Sequence, residues 1–212
     1  TAIRAASEIL HDDDEIPEAL RKQFLQNIIS ESDRLNRLID KILDLEKFET
    51  GKQKIYPAEG DICKTIRKAI DPLHQLLTNK NIAFKFDETA PDALVLYDEE
   101  RIIQVVTNLV SNAIKFCDPE NGIIGITTKK REHSVKVEVS NNGKPVNPDE
   151  LETIFDKFYQ SQNQNIKKPI GSGLGLAISR QIIEMHHGKI WASNPDNGGE
   201  IFTFTLPISI NI

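Results

Sequence analysis

The residues best placed to do chemistry lie in the stretch Glu99 to Phe116, EERIIQVVTNLVSNAIKF. On a helical wheel of about 100° per residue, Arg101, Asn108, Asn112 and Lys115 share one narrow stripe. Val105, Val106, Leu109, Val110, Ala113 and Ile114 fall mostly on the other side. Asparagine is a mediocre helix former, so two of them one turn apart ask for a reason other than helix propensity. Amide oxygens suit a hard cation such as Mg²⁺, and a lysine ammonium suits phosphate. On this helix alone, a solvated polar face is an equally good reading.

A second candidate is GSGLGLAISRQII, where Gly171, Gly173 and Gly175 run straight into a predicted helix. Free N–H groups and the helix dipole make such an end an anion site, and missing side chains let phosphate reach the amides. No Gly-Lys-Ser/Thr follows, so this is not a P-loop, and no strand leads in as the dinucleotide fingerprint requires. A flexible hinge is the competing reading. A third candidate is the strand end VEVSNNG, closing on Asn141, Asn142 and Gly143. Gly143 suits either a tight turn or the close approach of a flat ring to the backbone. Between the last two lies a long polar segment, FDKFYQSQNQNIKKPIGSG, which reads as a lid with Phe155 and Phe158 at its root.

These pieces need a scaffold. The 212 residues are 39% apolar, enough for a core, and the net charge of −6 argues against general nucleic-acid binding. No apolar run reaches membrane-spanning length and no signal peptide is apparent. Two cysteines in unrelated contexts, Cys63 and Cys117, read as reduced thiols and fit no metal site.

The chain divides near residue 50. TAIRAASEIL reads as a helix tail and HDDDEIPE as a turn, and no glycine or proline interrupts Glu18 to Glu49. A helix there would be about 48 Å long. Its Phe24, Ile28, Leu35, Leu38, Ile42 and Leu45 form a bundle seam, which predicts a helical hairpin that dimerises as a four-helix bundle. Beyond Gly51, helices are predicted over 61–79, 99–116, 148–154 and 174–186. Strands are predicted at IAFKFDE, LVLYD, GIIGITTKK, SVKVEVS, KIWAS and EIFTFTLP. That order predicts an α+β fold, a two-layer α/β sandwich with helices on one face of a mixed sheet.

Taken together, the order of motifs closely resembles the catalytic, ATP-binding domain of sensor histidine kinases, in the wider family shared with Hsp90, gyrase and MutL ATPases. NLVSNAIKF resembles the N box, NNGKPV the first glycine box, FDKF the F box and GSGLGL the second glycine box. Residues 1–50 resemble part of the dimerisation and histidine-phosphotransfer hairpin. The resemblance implies Mg-ATP as cofactor, Asn112 as Mg²⁺ ligand with Asn108 beside it, and Lys115 on phosphate. It implies Gly143 under the adenine, and Gly171, Gly173, Leu174 and Gly175 ordering the lid near the phosphates. Phe155 and Phe158 would sit at the lid root. It further implies a homodimer, a response-regulator receiver domain as partner and no nucleic acid. The portion would be cytoplasmic, within a protein attached to the membrane through upstream segments.

Two positions depart from the family pattern. The acceptor histidine with its acidic neighbour and Arg-x-Pro run is absent, and in relatives it precedes the segment matching TAIRAASEIL. His11, followed by three aspartates, makes a poor substitute. The first glycine box normally opens with an aspartate that binds the adenine amino group; here Asn141 stands there, and Pro145 replaces a later glycine. A side chain with both donor and acceptor, free to rotate, predicts weaker ATP binding and blunted discrimination against guanine. The expected activity is phosphoryl transfer from ATP to histidine. The alternatives are a kinase relative acting mainly as phosphatase or scaffold, and an ATPase without histidine chemistry.

Overall fold

The structure, a computed structural model, describes residues 2–12, 16–51, 53–89, 94–160, 172–196 and 198–208. The chain forms two compact units, 1–47 and 48–212, dividing just before the boundary expected at Gly51.

The first unit consists of α1 (Ala2–Asp12) and most of α2 (Glu18–Glu49). Ala2, Ala5, Ala6 and Ile9 of α1 share a surface depression with Phe24, Asn27, Ser30 and Glu31 of α2, so the two helices pack as a hairpin. Alpha-helix α2 carries more apolar surface than the single seam expected from sequence. Leu25, Ile29, Ile39 and Leu43 form a second stripe beside it, 48%, 54%, 46% and 45% exposed. The two stripes together span an arc of roughly 200°.

The second unit is the expected two-layer sandwich. Its main sheet has the order β2 (Ala83–Glu88), β4 (Ile123–Lys130), β5 (Ser134–Asn141), β7 (Glu200–Pro207), β6 (Lys189–Ser193). The β2–β4 pair is parallel and the remainder antiparallel. A separate two-stranded ribbon joins β1 (Ala58–Asp61) to β3 (Leu94–Tyr97). The sequence reading missed β1, whose AEGD composition is poor in strand formers. Helices α3 (Ile62–Ile70), α5 (Glu99–Phe116) and α6 (Gly175–Met185) lie against the sheet, with α4 (His74–Asn79) beside β2.

The helix expected over 61–79 is two helices. A 3₁₀ turn at Asp71–Leu73 separates α3 from α4, because Pro72 cannot donate to the helical ladder. The short helix expected over 148–154 is two 3₁₀ turns, Pro148–Glu150 and Thr153–Phe155. The core is aliphatic: Ile102, Val105, Val106, Leu109 and Val110 of α5 meet Val135, Val137 and Val139 of β5, all buried.

Candidate nucleotide site

Helices α3 and α5 each begin with a capping aspartate. Asp61 accepts from the N–H of Cys63 at 2.9 Å, and Asp98 from that of Arg101 at 3.2 Å. At the start of α6 stands buried Leu174, which supplies no capping side chain. Ser172 Oγ accepts from the Leu174 N–H at 3.4 Å, and the N–H groups of Gly175, Leu176 and Ala177 have no acceptor among the described residues. Asn108 marks this end: its Nδ2 donates to the carbonyl of Gly175 at 3.3 Å and lies 3.5 Å from Ser179 Oγ. One turn along α5, half-buried Asn112 has no side-chain hydrogen bond among the described residues, and exposed Lys115 follows on the same stripe. Arg101, predicted on that stripe, is turned away: its guanidinium covers the Phe48 ring at 5.4 Å and donates to Gln104.

The glycines have steric reasons of their own. A Cβ on Gly143 would stand 1.7 Å from the Phe116 carbonyl oxygen, so the turn after β5 is pressed onto the end of α5. Gly173 has φ +68, and a Cβ there would meet the Phe158 backbone at 2.6 Å. Gly175 has ordinary room, with Asn108 at 3.7 Å from the same point. Gly171 and the segment 161–171, where the lid was expected, lie outside the described residues.

Phe155 and Phe158 do different work. Phe155 is buried, edge-on to Phe202 at 6.2 Å, with the Arg180 guanidinium 4.8 Å over its ring. Phe158 was expected to anchor the same root with its side chain, but that side chain is 60% exposed. Its backbone makes the connection instead, at φ 61, donating to the Gly173 carbonyl at 3.0 Å. That φ is uncommon for a bulky residue.

At the far end of α5, Asn141 is buried and fully engaged. Its Oδ1 accepts from Gly143 N–H at 2.8 Å, and its Nδ2 donates to Glu200 Oε1 at 2.8 Å. Rotating the amide would set N–H against N–H and oxygen against carboxylate, so the freely rotating asparagine expected from sequence is held in one orientation. Burial pushes the Glu200 carboxyl up to about 7, offset in part by the Asn141 hydrogen bond. The adjacent Asn142 points the other way and braces the loop after α5, accepting from Ile123 N–H and donating to Asn121. Asn194 pairs with both backbone groups of Val146, fixing the turn that follows Gly143.

Glu200 was not singled out from sequence, although a signal was present. In EIFTFTLP it occupies the same alternating phase as Phe202, Phe204 and Leu206, the phase of the core. A charged residue in that phase is an anomaly with a partner to find.

Among the described residues, no three His, Cys, Asp or Glu cluster as a metal site. Amide oxygens such as those of Asn108 and Asn112 are of the donor type that suits a hard cation.

Comparisons agree with this geometry. The family model described as histidine kinase-, DNA gyrase B- and HSP90-like ATPase matches residues 97–210, more than half of the chain, and the chain belongs to that family. The His Kinase A (phospho-acceptor) domain model matches residues 1–51. Sensor protein KdpD of Clostridium acetobutylicum is 32% identical over 203 residues, covering 96% of this chain but only 22% of that protein. Among solved structures, the catalytic domain of histidine kinase ThkA aligns at TM-score 0.64 and 36% identity, over 72% of this chain and 98% of that one. A second ThkA structure, in complex with the response regulator protein TrrA, aligns at TM-score 0.77 and 31% identity, over 99% of this chain and 58% of that one.

Proposed function

We propose that residues 48–212 bind Mg-ATP in the groove bounded by α5, the start of α6 and the end of β5. The chain is then the kinase core of a two-component sensor, passing the γ-phosphate to a histidine for relay to a response regulator. The observation that carries this is the Asn108 bond to Gly175. It sets an amide-bearing helix face beside a helix N-terminus whose first helical N–H groups have no acceptor among the described residues, and amide oxygens and free N–H groups are what a metal-bound polyphosphate requires. From Asn108 to Phe116, α5 runs about 12 Å, which separates a phosphate end from a base end.

Asn112 would hold Mg²⁺ through its Oδ1, with Asn108 orienting the second ligand or water, and Lys115 would neutralise phosphate. Held there, Mg²⁺ would supply neutralisation of phosphate charge. The protein's part is positioning, since phosphoryl transfer asks for little covalent chemistry. The twin apolar stripes of α2 support the hairpin as a dimerisation element, because together they span roughly twice the arc of an ordinary core-facing stripe. ThkA, captured with a response regulator, supports the same partner class here. Calorimetric titration of the 212-residue chain with ATP, with and without Mg²⁺, tests the reading. Saturable, Mg²⁺-dependent binding is expected, and no heat in either condition would contradict it.

A further inference from the structure

Strands β5 and β7 meet in a column of core pairs: Val135 with Leu206, Val137 with Phe204, Val139 with Phe202, and then Asn141 with Glu200. All eight side chains are buried. Three rungs are apolar and the fourth is an amide facing a carboxyl. A polar pair in a column that otherwise fills with Val, Leu and Phe weakens the core relative to an apolar rung, so packing does not account for it. The pair is also unsealed. Glu200 Oε1 takes the Asn141 bond, Oε2 has no hydrogen-bond partner among the described residues, and the residue keeps 4% of its surface exposed. The column ends beside Gly143, whose backbone is pinned to Asn141 and pressed on Phe116, at the C-terminal end of α5.

We propose that the Asn141–Glu200 pair reads the nucleotide base, with Glu200 Oε2 as the acceptor for an exocyclic amino group and Asn141 as the residue that positions it. The inference rests on the nucleotide-binding reading above and adds to it the group that selects the base. With Oδ1 committed to Gly143 and Nδ2 to Glu200, Asn141 cannot itself swing between donor and acceptor. Glu200 can change character, because a carboxylate only accepts whereas a carboxylic acid also donates. Ionised, it favours the amino group of adenine and repels the carbonyl oxygen of guanine. Protonated, it can donate to that carbonyl. Among the described residues, no charged side chain on β5, on β7 or on the elements packed against them shifts Glu200; burial raises it and the Asn141 amide offsets part of that rise. Base selectivity is thereby tied to pH near neutrality.

The test is titration of the 212-residue chain and its Glu200→Gln variant with Mg-ATP and Mg-GTP at pH 6 and pH 8. Gln keeps an acceptor for Asn141 Nδ2, so the rung persists. Wild type should prefer ATP at pH 8 and lose much of that preference at pH 6. Glu200→Gln should reduce the pH 8 preference by about tenfold, the difference between a charge-assisted and a neutral hydrogen bond, and abolish its pH dependence. The double variant Asn141→Asp/Glu200→Gln moves the carboxylate across the rung and should restore ATP preference. If Glu200→Gln fails to fold, buffers of different ionisation enthalpy decide the matter on wild type: ATP binding at pH 7 should release about half a proton from a group half-titrated there. Unchanged selectivity and pH profile in Glu200→Gln, or no proton release, overturns the inference while nucleotide binding stands. A wild type that binds neither nucleotide overturns the functional reading itself.

Discussion

Asn108 on α5 donates its side-chain amide to the carbonyl of Gly175, the first residue of α6. The bond joins two motifs 67 residues apart in sequence and fixes the mouth of the proposed phosphate site.

Asn108→Ala removes that bond and should lower the stability of the catalytic unit by about 1 kcal/mol while weakening Mg-ATP binding. Asn108→Asp should weaken binding further, since a carboxylate would face the Gly175 carbonyl. Urea melts and calorimetry on the two variants check this. Equal affinity in wild type and both variants would remove Asn108 from the site.

The hairpin unit should be a homodimer. Ile29→Lys/Ile39→Lys, on the second stripe of α2, should give monomers, because two lysines cannot be buried unpaired across a bundle. Sedimentation measures it. A dimer that survives the double substitution places the interface elsewhere.

Much of this architecture was legible. The α5 boundaries and its buried face follow from strong 3.6-residue periodicity, and β4, β5 and β7 from strict alternation. Strand β1 was not legible, because AEGD carries no strand signal and pairs only once β3 is in place. The split of α3 from α4 was written in Pro72 and passed over. The fixed orientation of Asn141 was not legible because its partner lies 59 residues away, on another strand. Rotational freedom of an amide is a property of its neighbours. The second stripe of α2 was hidden by following one heptad seam on a helix that carries two.

Two buried groups give opposite pH limits to the nucleotide-free fold. Glu200 has a folded pKa of about 7, above its ordinary 4.5, so its contribution is fully present below 4.5 and is lost as pH rises through 7. Once ionised, the penalty is on the order of 3 kcal/mol. His186 runs the other way. Burial lowers its pKa, and its Nε2 accepts from the Asp98 N–H at 3.0 Å while Nδ1 donates to the Ile182 carbonyl. Its contribution is present above its ordinary 6.5 and is lost as pH falls through the depressed folded value. Glu200→Gln should therefore be more stable than wild type at pH 8 and similar at pH 5, with an acid-side loss still present. Urea denaturation across pH 4 to 9 measures this; parallel curves for the two proteins would contradict it.

This 212-residue chain should bind Mg-ATP without labelling itself. His11 is exposed at the end of α1, paired with Asp12 at 2.9 Å, and is not in the acceptor context that the family resemblance describes. Incubation with γ-labelled ATP should leave no acid-labile, base-stable phosphate on the protein. Label mapped to His11 would show that it is an acceptor after all.

The account depends most directly on Asn112, whose side chain has no hydrogen-bond partner among the described residues and stands one turn from Asn108. Calorimetric titration of Asn112→Ala with ATP in the presence of Mg²⁺ is the decisive measurement. The expected result is loss of the Mg²⁺-dependent binding with little change in the urea midpoint, since no side-chain hydrogen bond among the described residues is removed. Equal Mg-ATP affinity in Asn112→Ala and wild type would contradict the assignment of this helix face to the metal-bound triphosphate.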